Sequence, residues 1–183
     1  MPEYIPGTTL SYPAGAENAF DVILPLVAAT GGLSLSQICS ITGLEGSTIQ
    51  NWVKRRWVSK PIDKKYGTTH LPRILLISAL RDNLQIEQIV QLIAFVTQSG
   101  SAGQTDALFE EITLYDCLCA TVRGLSEPDA ELLQVRVRAL ARARCSDGDL
   151  QRRLEQALFP MSLLYLAGTI RHHALDLLHQ FLI

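Results

Sequence analysis

The sequence predicts an all-α protein with a small β wing, built as an N-terminal winged helix-turn-helix domain followed by a C-terminal helical bundle. Three observations carry that expectation. Apolar residues recur at spacings of three and four along most of the 183-residue chain, which is the period of a helix. Only residues 56–66 break this rule, with Trp57, Val58, Ile62 and Tyr66 alternating with polar residues around Pro61. The charge is also segregated: no lysine or arginine precedes Lys54, and then Lys54, Arg55, Arg56, Lys60, Lys64, Lys65, Arg73 and Arg81 follow together.

Residues 1–15, with Pro2, Pro6, Gly7 and Pro13, read as a flexible leader. Ala16 to Thr30 gives a first apolar helix, closed by Gly31 and Gly32, with Pro25 expected to kink or break it. Ser34 suits an N-cap for a helix carrying Leu35, Ile38 and Ile41, and Gly43 is its expected stop. Ser47 is expected to cap the next helix, which buries Ile49, Trp52 and Val53 and turns Gln50, Asn51, Lys54 and Arg55 outward. After the wing, Pro72 fits the first turn of a helix with Ile74, Leu75, Ile77, Ala79 and Leu80 inside. A shorter helix follows Asn83, with Ile86, Ile89, Val90, Ile93 and Val96 on its apolar face.

Ser99, Gly100, Ser101, Ala102 and Gly103 form a low-complexity stretch, so the domains divide there: 16–98 for the winged helix-turn-helix and 104–183 for the bundle. In the second half, Leu108, Ile112, Tyr115, Cys119 and Val122 mark a narrow seam along one helix. Leu133, Val137 and Leu140 mark a second, and Leu150, Leu154 and Leu158 a short third that Pro160 breaks. A last helix lines up Leu163, Ala167, Ile170, Ala174, Leu177 and Phe181 toward the bundle core.

Composition narrows the function. A hydrophobic fraction of 48% supports a packed core. The weakly charged stretches are too short to cross a bilayer and no basic residue precedes an apolar run at the amino terminus, so a soluble, cytoplasmic protein is expected. Cys39, Cys117, Cys119 and Cys145 read as reduced, mostly buried thiols. The net charge is only -2, but eight basic residues stand against two acidic ones between Lys54 and Asp82, leaving eight against sixteen elsewhere. Such a concentrated positive block attracts phosphate.

Two short helices joined by a turn with Gly43 and Gly46 satisfy the geometry of a DNA-reading module whose second helix enters the major groove. Gln50 and Asn51 can bond base edges, while Lys54 and Arg55 can reach guanine or phosphate. Ser47 and Thr48 stand at a helix N-terminus, where phosphate is favoured. Lys60, Lys64, Lys65 and Tyr66 form the expected wing contacts to the backbone.

The run from Leu35 to Lys54, with Asn51-Trp52-Val53-Lys54, then Pro61 to Tyr66, Arg73 to Arg81 and Leu84 to Ile89, resembles a MerR-type winged helix. It resembles more closely a group of uncharacterised bacterial proteins with an Asn-Trp/Tyr-Val-Lys helix and a Lys-Lys-Tyr wing. The resemblance covers roughly Phe20 to Val96. It implies that Thr48, Gln50, Asn51 and Lys54 lie on the groove-facing helix and that Lys64, Lys65 and Tyr66 lie near phosphate. Asn51-Trp52 stands where MerR proteins usually carry two tyrosines, and no long dimerising helix directly follows Val96.

Other constellations carry less. His172, Asp176 and His179 share a helical face and are a weak metal candidate, since an exposed polar stripe needs no metal. Arg136, Arg138, Arg142 and Arg144 lie close to acidic neighbours and read as a solvated, salt-linked face. No Gly-x-Ser-x-Gly, lysine-bearing phosphate loop or His-Glu-x-x-His occurs, so no enzyme and no cofactor are expected. The expectation is a transcriptional regulator that binds DNA as a homodimer, with an effector or protein partner possible at the C-terminal helices. The alternative is an interaction module whose basic surface docks an acidic partner. A closed apolar pocket in the second half would indicate a ligand sensor, and a broad exposed apolar face would indicate dimerisation.

Overall fold

The structure, a computed structural model, describes residues 3–97 and 110–182. Eight helices occur among them: α1 Phe20–Thr30, α2 Leu35–Thr42, α3 Gly46–Lys54, α4 Leu71–Leu80, α5 Ile86–Thr97, α6 Glu111–Val122, α7 Ala130–Arg144 and α8 Gly148–Leu182. The protein is thus mostly helical. The expected domain boundary at 99–103, and Leu108 of the expected seam, lie outside the described residues.

The centre of the molecule is α4 with α6. Leu71, Pro72, Ile74, Leu75, Leu76, Ile77 and Leu80 bury almost the whole circumference of α4, which packs against α5, α6 and α8. On α6, Leu114, Tyr115, Cys117, Leu118, Cys119, Thr121 and Val122 are all buried. This is wider than the narrow seam expected, because α6 is covered by α1, α4, α5, α7 and α8 together. Buried residues from Ile5 to Leu166 form one hydrophobic cluster running through both halves of the chain.

Local chemistry explains most ends. Ser34 caps α2 in a capping box: the Gln37 backbone N–H donates to Ser34 Oγ at 3.3 Å, and the Ser34 N–H donates to Gln37 Oε1 at 2.8 Å. Gly43 then stops α2 in the left-handed conformation, at φ 70. α1 begins at Phe20, later than Ala16, because a distant carboxylate starts it: the Phe20 N–H donates to Asp116 Oδ1 on α6 at 2.9 Å. Pro25 sits inside α1 without ending it; its side chain is exposed, so the helix turn it disturbs faces solvent.

Three expectations change. Residues 3–12 are packed where a loose leader was expected. Ile5 and Pro6 are buried, Tyr115 Oη donates to Pro6 O at 2.8 Å, and the Thr9 N–H donates to Ile41 O at 2.7 Å. Their apolar side chains and carbonyls supply partners that α6 and α2 otherwise lack. Pro160 does not break the chain's last helix either: α8 is continuous over 35 residues, about 52 Å at the usual rise. The carbonyl that Pro160 leaves unbonded belongs to exposed Gln156, while Ala157, Leu158, Met161 and Ser162 are held in the core around it. Finally, the apolar side of the last helix enters the core only as far as Leu166. Ile170, Leu175, Leu177, Leu178, Phe181 and Leu182 are exposed, because α8 outruns the helices that pack on it.

Candidate nucleic-acid interface

α2 and α3 are separated by three residues, Gly43, Leu44 and Glu45. Leu44 is buried and draws the turn inward. A side chain at Gly46 would meet Leu35 Cδ2 at 3.3 Å, so glycine permits the close approach of α3 to α2. This closeness shifts the start of α3: Glu45 is the N-cap, without a side-chain bond, and Ser47 lies inside the first turn instead of capping it.

Ile49 and Trp52 face the core from α3. Ser47, Gln50, Asn51 and Lys54 are exposed, and Thr48 is half-buried. Arg55 ends the helix with its guanidinium 5.1 Å from the centre of the Trp57 ring, so its position is fixed by a cation–π contact as well as by charge.

Behind α3 the chain turns sharply. Arg56 takes φ 63, and the Trp57 N–H returns to Trp52 O at 2.9 Å. Ile62 and Lys65 exchange both backbone hydrogen bonds, at 3.0 and 2.7 Å, around Asp63 and Lys64. Both central residues have positive φ, as a type I′ hairpin turn requires. The expected wing is therefore a minimal hairpin of isolated bridges. Tyr66 joins it to the strand-like residue before α2, exchanging hydrogen bonds with Leu33 at 2.9 and 2.8 Å.

Lys60 and Lys64 are exposed on this connection and Lys65 is half-buried. Tyr66 departs from its expected role: its side chain is 4% exposed and packs edge-on against His70, with ring centres 5.8 Å apart. It packs beneath the hairpin, with little of its surface left to meet a partner. Arg73 is likewise removed from the basic block. It is bonded to Glu111 through Nε and Nη2, and Nη1 donates to Trp57 O at 3.5 Å.

His70, which the sequence offered no reason to single out, fastens the connection. It is buried, and its Nδ1 accepts from the Gly67 N–H at 3.2 Å. Nε2 therefore carries the proton and donates to Lys60 O at 2.9 Å.

Residues 28–117 match the family described as Domain of unknown function (DUF1836). The DUF1836 match spans just under half of the chain, from the end of α1 into α6, and so includes α2, α3, the hairpin and the Arg73–Glu111 pair. No curated protein and no solved structure matches the chain.

Elsewhere, His172, Asp176 and His179 are exposed on α8, and His172 Nε2 lies 3.4 Å from Asp82 Oδ2. No group of three His, Cys, Asp or Glu among the described residues is placed to hold a metal. Arg136 is occupied by the carbonyls of Thr121 and Arg123, at 3.0 and 2.6 Å. Burial pushes the Cys117 thiol up to about 12 and raises Cys119 as well, so both remain protonated at neutral pH. A half-open cleft of about 430 Å³ lies between the N-terminal segment, α6 and α8, lined by Tyr12, Cys119, Arg123 and Tyr165 among others. No helix among the described residues is long and apolar enough to cross a membrane.

Proposed function

We propose that the chain is a cytoplasmic, sequence-specific DNA-binding regulator acting as a homodimer, in which α2, α3 and the basic hairpin form a MerR-like winged helix-turn-helix. One observation carries the reading: α3 buries Ile49 and Trp52 and leaves Ser47, Gln50, Asn51 and Lys54 exposed on a single short helix. Amide side chains followed by a cation suit adenine and guanine edges in a major groove. Lys60 and Lys64, held by the His70 and Ile62–Lys65 hydrogen bonds, suit the flanking phosphates. No catalytic step or cofactor is part of the reading.

The test is binding to genomic DNA fragments over a range of salt concentrations. Each lysine that meets phosphate contributes roughly one unit to the slope of log affinity against log salt. The combined variant Lys54→Ala, Lys64→Ala, Lys65→Ala is expected to weaken binding and flatten that slope; unchanged binding would sink the proposal. Ile62, 71% exposed beside the basic residues, favours a second reading in which this surface docks an acidic protein. Under that reading the same variant abolishes a protein contact while genomic DNA shows no specific binding in either form.

A further inference from the structure

The first described residues fold back on themselves. The Ile5 N–H donates to Leu10 O at 2.8 Å and the Tyr12 N–H to Glu3 O at 3.0 Å, which brings Glu3 and Tyr12 to one end of a small loop. That end meets the end of α6. The Gly124 N–H donates to Glu3 Oε1 at 2.5 Å, and the Arg123 guanidinium lies over the Tyr12 ring, 4.4 Å from its centre. Between this junction and α8 opens the cleft of about 430 Å³, within the size range of small-molecule sites. Its walls are mostly apolar, with Pro6, Val122, Leu125 and Leu166 among them.

Three polar groups in those walls lack the partners that such groups ordinarily take. Nη1 of Arg123 donates to Ala16 O at 2.7 Å, yet no carboxylate among the described residues pairs with the guanidinium. Glu3 also lines the cleft and, among the described residues, pairs with no cation. Tyr12 Oη is buried without a hydrogen-bond partner among the described residues, and the Cys119 thiol beside it is only a weak one. Burial holds the Tyr12 phenol above its ordinary value, so it keeps a proton to donate at neutral pH. An unsatisfied buried hydroxyl marks a place where a further group belongs. A cation and an anion that line the same cavity without joining each other suit an occupant that carries both charges.

We propose that this cleft binds a free α-amino acid with an apolar side chain. Arg123 and the Tyr12 hydroxyl receive its carboxylate, Glu3 receives its ammonium, and Val122, Leu125 and Leu166 take the side chain. A plain carboxylic acid would leave the Glu3 charge uncompensated, and a plain amine would leave that of Arg123, in a half-open site where water screens them incompletely. The zwitterion answers both charges at once through charge-assisted hydrogen bonds. A charged side chain is refused by the apolar wall. The site lies outside α2, α3 and the basic hairpin, so it stands apart from the DNA-binding reading.

The test is isothermal titration of the full chain at neutral pH. L-phenylalanine is expected to bind one molecule per chain. 3-Phenylpropionate, which lacks the ammonium, and 2-phenylethylamine, which lacks the carboxylate, are each expected to bind at least about tenfold more weakly. Glu3→Gln keeps an acceptor for the Gly124 N–H and is expected to erase the preference for L-phenylalanine over 3-phenylpropionate. Tyr12→Phe keeps a ring beneath Arg123 and removes only an unsatisfied hydroxyl, so it is expected to fold as the parent does and to bind L-phenylalanine about tenfold more weakly. Failure of L-phenylalanine, L-leucine and L-tryptophan alike to bind would overturn the proposal. Equal binding of the three phenyl compounds, or parental affinity and preference in both variants, would do the same.

Discussion

Arg73 on α4 grips Glu111 on α6 through one edge of its guanidinium, Nε donating to Oε2 at 3.0 Å and Nη2 to Oε1. The side chains keep only 27% and 21% of their exposure. Because Nη1 also reaches Trp57 O, one cation ties the connection behind α3 to two central helices. Losing hydrogen bonds to a charged group at such a site costs about 1.5–3 kcal/mol. Arg73→Ala is therefore expected to lower the urea midpoint clearly while leaving the salt slope of DNA binding unchanged. A reduced slope would mean that Arg73 is free to meet phosphate.

His70 anchors Lys60 by a backbone carbonyl, so its removal should act at a distance from its own position. His70→Ala leaves Lys60 O and the Gly67 N–H without their partner, a loss of about 1–3 kcal/mol in stability. It is also expected to weaken DNA binding at temperatures where the chain is fully folded, since Lys60 is no longer held. Amide hydrogen exchange would report faster opening around Gly67. Binding equal to that of the parent would separate His70 from the proposed interface.

Asp116 gives a pH dependence of definite sign. Burial raises its carboxyl above the usual range, against the Phe20 N–H, which lowers it; Asp21 raises it further and Arg144 lowers it. The folded state therefore holds this proton more tightly than the unfolded chain does. Its contribution to stability is fullest below the ordinary aspartate range and is lost as pH rises through the folded value. Asn can still accept from Phe20 but never ionises. The stability difference between parent and Asp116→Asn, from urea unfolding between about pH 4 and 7, is expected to move in favour of the variant as pH rises. A constant difference would contradict it.

Gly7 and Gly15 form a matched pair for the N-terminal segment. Both have positive φ, 74 and 80, but a Cβ at Gly7 would lie 2.4 Å from Leu75 O, whereas nothing lies within 4 Å of one at Gly15. Gly15→Ala carries only backbone strain, about 1 kcal/mol. Gly7→Ala adds a collision with the backbone of α4 and is expected to depress the thermal midpoint by several degrees more. Equal effects would mean that the segment is not seated on α4.

The helices were legible because local chemistry marks them. Ser34 with Gln37, Gly43, Pro72 and the spacing of Ile89, Ile93 and Val96 each signal an end or a face that neighbouring residues alone determine. The exposed side of α3 could be read for the same reason, since Ile49 and Trp52 leave only one side for Gln50, Asn51 and Lys54. What escaped depends on distant partners. Asp116 starts α1 from 96 residues away. Tyr66 looks like an ordinary wing residue until His70 and the backbone of Leu33 enclose it. Arg73 looks like part of a charge block until Glu111 takes it. Ile170 and Phe181 carry a core pattern that periodicity cannot assign to the same chain or to another copy.

The continuous core also separates what folds from what is recognisable. The matched segment ends at Cys117, in the middle of a helix that needs α7 and α8 on one side and the residues around Ile5 and Phe20 on another. A fragment trimmed to 28–117 would carry the α2–α3 pair and the hairpin intact in sequence, yet α4 and α5 would lose α8, and the shortened α6 would lose both α7 and α8. The segment that carries the family match and the smallest self-standing unit are consequently of different length, and expression of the former alone is expected to yield aggregate.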